Sequence, residues 1–167
     1  MKKIGLFYSF NTGKSAKAAE EIAGHFGNNV DTINAEEVTE ETIMKYNNLI
    51  FSCPTWFDGE LPNYWDEFRP ALEEMNLKGK KIAIFGAGDQ KGYPENFIDA
   101  VGIMADIIKD INGTIVGYTS SKGYTFESSK ALEKGRFCGL ALDYENQAKQ
   151  SKKRIKDWCE QLKSEFD

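Results

Sequence analysis

Histidine occurs once in this chain of 167 residues, at His25, and cysteine three times, at Cys53, Cys138 and Cys159. These four are scattered without the short spacing of a metal-binding motif, which excludes a structural zinc site. An odd, dispersed set of cysteines also fails to make a disulfide framework, so they read as reduced thiols in a cytoplasmic protein. His25, near the end of a helix-like run, reads as a capping or surface residue rather than a ligand. Four prolines among 41% hydrophobic residues exclude a disordered, low-complexity chain. No apolar run reaches the length of a membrane span. The opening Met1-Lys2-Lys3 leads into an apolar stretch too short and too patterned for a secretory signal.

Positive charge is also in deficit, with 21 Lys and Arg against 26 Asp and Glu and a formal net charge of −5. That balance disfavours nucleic acid and anionic membranes as partners. Acidic residues gather between Asp58 and Glu74, with Glu60, Asp66, Glu67 and Glu73 between them and Arg69 as the lone cation. Two readings stay open: a solvated helix face, or a docking patch for a basic partner.

Strand-like and helix-like segments alternate along residues 1–167, which read as one domain. Ile4–Tyr8, Val30–Ile33, Leu49–Cys53, Lys81–Phe85 and Thr114–Tyr118 read as strands. Helical spacing covers Ala16–Phe26, Leu61–Met75, Glu95–Ile111 and Gln147–Phe166, with a weaker helix at Glu40–Lys45. Continuous apolar character in the strands is expected when both sheet faces are covered. The pattern implies an α/β fold of parallel βαβ units with right-handed crossovers. Thr119 to Arg136 is rich in Ser, Gly and Lys and shows no sustained period. Phe137–Leu142 then reads as a strand again, so either a sixth strand exists or an insertion interrupts the fifth.

Residues Ser9, Phe10, Asn11, Thr12, Gly13, Lys14 and Ser15 lie between the first strand and the first helix. Hydroxyls from Ser9, Thr12 and Ser15, a glycine that permits close approach, and the unpaired N–H groups of a helix start together suit a phosphate. Gly13-Lys14-Ser15 matches the end of a nucleotide-triphosphate loop, but that motif needs a glycine where Tyr8 stands. A monophosphate site is therefore expected. In an open α/β sheet, ligands sit beyond the carboxyl ends of the strands. The loops after strands one, three and four should converge there. They carry Pro54-Thr55-Trp56-Phe57-Asp58-Gly59 and Gly86-Ala87-Gly88-Asp89-Gln90-Lys91-Gly92-Tyr93. Trp56 and Tyr93 beside glycines and an acid suit a planar aromatic ligand clamped on two faces.

These blocks resemble the flavodoxins of the long-chain type over essentially the whole sequence. The likeness is carried by Lys3-Ile4-Gly5-Leu6-Phe7-Tyr8, Thr12-Gly13-Lys14-Ser15, Cys53-Pro54-Thr55-Trp56 with Gly59-Glu60-Leu61, and Gly88-Asp89-Gln90 with Gly92-Tyr93 and Asn96-Phe97. It continues in Gly139-Leu140-Ala141-Leu142-Asp143 with Asn146-Gln147. The resemblance implies a doubly wound five-stranded parallel sheet of order 2-1-3-4-5, the flavodoxin order among doubly wound folds. It also implies a last strand interrupted by the 119–136 insertion and a non-covalently bound FMN. By position, residues 10–15 would hold the phosphate, with Ser9 as a supplementary hydroxyl. Trp56 and Tyr93 would flank the isoalloxazine, and Asp89 and Asn96 would hydrogen-bond near its pyrimidine edge. Pro54, Thr55, Phe57, Asp58, Gly59, Gly88 and Phe97 complete the implied site.

Two positions depart from the family pattern. Phe10 stands where a threonine is common, which removes one hydroxyl from the phosphate loop. Phe57-Asp58 stands where a small or amide residue usually comes first, in a turn whose peptide reverses on one-electron reduction. Switching between the two turn types demands positive φ at one central residue, and Asp58 is the expected one because Asp tolerates that region better than Phe.

The function implied is a low-potential one-electron carrier between a basic flavin- or NADPH-linked reductase and electron-accepting enzymes, working as a cytoplasmic monomer. The acidic balance suits it, because nearby carboxylates resist a second negative charge on the ligand. The alternative is a flavodoxin-like NAD(P)H-dependent quinone or nitro reductase, which needs an open pocket above the ring. A phospho-accepting receiver is disfavoured, since Tyr8-Ser9 and Cys53-Pro54 occupy the places of its acidic residues.

Overall fold

The apolar runs pair into one sheet. In the computed structural model, which describes residues 1–167, Ile4–Tyr8 (β1), Val30–Asn34 (β2), Asn48–Ser52 (β3), Lys81–Ala87 (β4) and Thr114–Val116 (β5) are all parallel. Their order is β2-β1-β3-β4-β5. Every residue of β1 and β3 is buried, which explains why neither shows polar alternation. Helices Lys14–Phe26 (α1) and Ser151–Glu165 (α5) cover one face, where Ala18, Ile22, Trp158 and Leu162 pack on Ile4, Leu6 and Phe85. The short Glu40–Met44 (α2), Asn63–Glu73 (α3) and Asp99–Asp110 (α4) cover the other through Ile43, Trp65, Leu72, Met104 and Ile108. The two buried indoles each find an acceptor: Trp65 Nε1 donates to the Ser52 carbonyl at 2.8 Å and Trp158 Nε1 to that of Gly117 at 2.9 Å.

The interrupted fifth strand is real. After β5 the chain leaves the sheet to form a small antiparallel sheet from Thr119–Ser120 (β6), Leu132–Glu133 (β7) and Arg136–Phe137 (β8). It returns as Leu140–Leu142 (β9). Both halves pair with β4: Lys81–Ala83 with Thr114–Val116, then Phe85–Ala87 with Leu140–Leu142. The expected single strand over Phe137–Leu142 is thereby split. Phe137 belongs to the small sheet, Cys138 N–H donates to the Ala131 carbonyl, and only residues 140–142 rejoin the main sheet. Gly139 makes the crossing, since a Cβ there would lie 2.3 Å from the Ile84 carbonyl oxygen.

The helix expected from Glu95 begins only at Asp99. The insertion takes the backbone groups that an earlier start would need. Glu127 and Ser128 donate N–H to the Pro94 carbonyl at 2.8 and 3.0 Å, and Phe97 N–H donates to the Ser128 carbonyl. Ile98 is left-handed at φ 47° immediately before the helix. An aromatic cluster fixes this arrangement, with Phe97 ring centroids 5.8, 5.4 and 6.0 Å from Tyr124, Phe126 and Phe137.

Candidate functional site

β1, β3 and β4 end side by side, so the segments 9–15, 53–59 and 88–97 meet at one edge of the sheet. The first intrahelical bond of α1 runs from Lys17 N–H to the Gly13 carbonyl at 3.1 Å. This leaves the N–H groups of Lys14, Ser15 and Ala16 without intrahelical acceptors, and no side chain caps the helix. The preceding turn is held by its own hydroxyls: Thr12 Oγ1 donates to the Ser9 carbonyl at 2.8 Å, and Asn11 N–H donates to Ser9 Oγ. Asn11 is further tethered to Glu36 through its side-chain amide at 2.6 Å, and Phe10 N–H donates to Asn34 Oδ1. Gly13 has φ −80°, which any residue adopts, but a Cβ there would meet nothing within 4 Å. Its side of the loop is open. Lys14 forms an exposed ion pair with Glu145.

After β3, Pro54 is buried and Thr55 Oγ1 accepts the Ala100 N–H at 3.1 Å, serving the otherwise uncapped start of α4. Trp56 and Glu60 then exchange both backbone hydrogen bonds, at 2.9 and 2.8 Å, closing a loop over Phe57, Asp58 and Gly59. The positive φ that the reversed turn is expected to place at Asp58 is held elsewhere in this structure. Phe57, not Asp58, holds the positive φ, at 50°, and Gly59 follows at 93°. Gly59 leaves no alternative, because a Cβ there would sit 2.9 Å from Asp99 Oδ2 and 3.0 Å from Asn96 Cβ. With Gly59 wedged against α4 and the loop closed at both ends, the remaining reversal falls on Phe57.

After β4, Asp89 shapes its own loop. Its Oδ1 accepts from Gly92 N–H at 2.8 Å, Lys91 N–H at 3.2 Å and Asn146 Nδ2 at 2.7 Å. The Gly92 and Asn146 donors together hold its carboxyl below the usual 3.8. Beside it, Gln90 is locked by Asp143 Oδ2 and accepts from Thr125 N–H at 2.6 Å, tying this loop to the insertion. Asp99, under the Phe57 loop, is buried and its carboxyl is pushed up by desolvation, against the Lys130 N–H that it accepts at 2.8 Å.

A cavity of about 120 Å³ opens between these loops, lined by Phe57, Asp89, Tyr93, Asn96 and Phe97 with Thr55, Gly88 and Ile98. A second of about 250 Å³ extends it past Gly88, Asp89 and Tyr93 to Lys14, Tyr144 and Glu145. Three aromatics stand in solvent on this one edge, each from a different strand end: Phe10 at 49%, Phe57 at 67% and Tyr93 at 54% exposure. Trp56 lies deeper, edge-on to Tyr64 at 5.9 Å and to Phe57 at 6.4 Å, and lines neither cavity. Asn96 Oδ1 is buried and accepts nothing. The contributions of Asn146 and Glu145 to these loops are not visible in local sequence, because they come from a segment more than fifty residues beyond Asp89.

A parallel sheet of this order, an uncapped helix start and an aromatic-walled slot at its edge define a class of doubly wound ligand-binding proteins. A family description of flavodoxin matches residues 6–158. Over 166 residues the sequence is 48% identical to a flavodoxin of a Nostoc species, covering 99% of this chain and 98% of that one. It is 46% identical over 170 residues to that of Trichodesmium erythraeum, covering 99% of both. The crystal structure of Fusobacterium nucleatum flavodoxin bound to flavin mononucleotide superposes with a TM-score of 0.95 at 36% identity, covering 100% of both chains. The chain belongs to the flavodoxin family.

Proposed function

We propose that this protein binds FMN at the edge formed by residues 9–15, 54–59 and 88–97 and carries single electrons between redox proteins. The observation that carries the reading is the coincidence of three solvent-exposed aromatic side chains with an uncapped helix start on one sheet edge. Exposed aromatic clusters of this kind in an otherwise well-buried chain mark a ligand surface. The residues fit the ligand. The N–H groups at the start of α1 and the Ser15 hydroxyl take the phosphate, while Thr12 Oγ1 and Phe10 N–H, bonded to the Ser9 carbonyl and Asn34 Oδ1, shape the turn that presents them. Tyr93 and Phe57, which line the cavity from two strand ends, flank the ring, with Asp58 and Gly59 completing the Phe57 loop. Trp56, expected on one face, instead backs that loop from beneath through its contacts with Phe57 and Tyr64. Asn96 Oδ1, buried without a donor, accepts from the polar edge of the ring, and Asp89 holds the loop that brings this edge into place. Thr55, Gly88 and Phe97 form the floor, with Pro54 buried behind it.

When bound, FMN supplies the electron chemistry, and the protein supplies binding, exclusion of water and electrostatics. Membership of the flavodoxin family favours a carrier over a reductase. The chain acts as a monomeric, cytoplasmic domain that docks transiently with a basic reductase and with acceptor enzymes. No helix is long and apolar enough to cross a membrane.

Mass spectrometry of the flavin released from purified protein tests the reading. FMN is expected, because one helix start serves one phosphate and no second loop of that kind is present for an adenosine. Release of FAD, or a colourless protein that does not bind added FMN, overturns it.

A further inference from the structure

A cleft of about 500 Å³ lies between the insertion and α5, lined by Tyr118, Lys122, Tyr124, Arg136, Arg154 and Asp157 among others. None of its lining residues touches the cavities at the sheet edge described above. We propose that this cleft is a binding site for a small molecule carrying at least two phosphate or carboxylate groups.

Charge carries the argument. In a chain with more acids than bases, Lys122, Arg136 and Arg154 line one cleft, and none of them forms an ion pair. Asp157, the one acid in the lining, is engaged by Lys153 at 2.6 Å. The Arg154 side chain makes no hydrogen bond or ion pair within the protein, and its Nη1 is buried without an acceptor, so the charge of this guanidinium is unmatched by any partner in the chain. The region is more positive still because Lys149, Lys152, Lys153, Arg154 and Lys156 crowd the start of α5 with no acid in its first turn. The helix macrodipole already places positive charge there, so these side chains oppose helix stability.

Geometry prepares the two arginines. The Arg136 guanidinium carbon lies 4.9 Å from the Tyr118 ring centroid, and that of Arg154 lies 4.0 Å from the Tyr124 centroid. Stacking on an aromatic face restrains a guanidinium and leaves its in-plane donors free for two-point contact with a carboxylate or phosphate. Tyr124 is itself anchored, its hydroxyl donating to the Ala141 carbonyl at 2.7 Å. Two restrained forks and a lysine at the rim match a ligand with more than one anionic group better than a single small ion.

The test is a titration of ¹⁵N-labelled protein, as purified, with sodium pyrophosphate and separately with sodium citrate. Sodium chloride at matched ionic strength is the control. Saturable amide shifts are expected at residues 118–124, 136 and 154–161, with chloride giving none. The lower saturation point of the two ions identifies the ligand as phosphorylated or polycarboxylic. The Arg136→Gln/Arg154→Gln double variant should weaken binding by about tenfold or more, the scale of losing charge-assisted hydrogen bonds. Lys122→Gln, at the exposed rim, should weaken it severalfold and keeps the test decisive if the double variant does not fold. Residue-level readout separates this cleft from the phosphate loop at 9–15. Shifts confined to that loop, shifts reproduced by chloride, or binding indifferent to these substitutions would overturn the proposal.

Discussion

Phe57 holds a φ of 50° with two-thirds of its surface in solvent, so little packing offsets the left-handed conformation. Such a conformation costs a non-glycine residue about 1–2 kcal/mol. Phe57→Gly should raise stability by about 0.5–1 kcal/mol, the glycine's extra unfolded-state entropy offsetting part of the relief. It should also weaken FMN binding, because a wall of the slot is removed. Asp58→Gly should bring no stabilisation; if urea unfolding shows it gaining as much as Phe57→Gly, the positive φ lies at residue 58. Asp89 supplies a second residue-level test through pH. Its folded carboxyl titrates below its ordinary 3.8, so its contribution is present above that value and is lost as pH falls through the lower folded one. Asp89→Asn should therefore unfold at lower urea than wild type near about pH 7, and the gap should narrow by about pH 3. A gap unchanged with pH would mean that the charge on Asp89 contributes nothing to holding the loop.

What sequence reveals about the elements follows burial. β1, β3 and β4 are legible because strands covered on both faces are continuously apolar, and α1 and α3 because each buries one stripe. The start of α4 is not, because Pro94 and Phe97 spend their backbone groups on the insertion, which no local pattern reports. The left-handed Phe57 is likewise not readable locally: it sits in a loop closed by the Trp56–Glu60 bonds and seated against Asp99, forty residues on, where Gly59 leaves no space for a Cβ. The loop proposed for the phosphate, by contrast, is local, and its residues are contiguous in sequence as in space. The insertion itself docks through Gly102 on α4, where an added Cβ would lie 2.2 Å from the Lys130 carbonyl oxygen and 2.7 Å from the Ala131 nitrogen. Backbone cannot yield there as a flexible side chain would. Gly102→Ala should destabilise the protein by about 1–3 kcal/mol despite the better helix propensity of alanine. Hydrogen exchange should show faster opening of residues 124–137. Protection unchanged in that segment would mean that the insertion does not depend on this contact.

At the scale of the whole molecule, charge is divided between surfaces. Asp58, Glu60 and Asp66 outnumber Arg69 and Lys130 around a groove beside the Phe57 loop, next to the slot proposed for the ring, whereas unpaired cations line the cleft along α5. An acidic rim around an electron-transfer edge speeds encounter with a basic partner, and salt screens that steering over about 10 Å at 0.1 M. Reduction by a basic reductase should slow steeply as salt rises, and the joint change of Glu60, Asp66 and Glu67 to glutamine should flatten that dependence. Stopped-flow rates indifferent to both would reduce the acidic face to a solvated surface. The same carboxylates oppose a second negative charge on the ligand: a unit charge about 8 Å away at an effective dielectric of about 20 costs roughly 2 kcal/mol. The two electrons should therefore enter at well-separated potentials, with the second strongly reducing. An anaerobic redox titration of the purified protein, followed by visible spectra, measures this directly. Two resolved one-electron steps on bound FMN are predicted; a single two-electron step, or no bound flavin to titrate, would contradict a one-electron carrier.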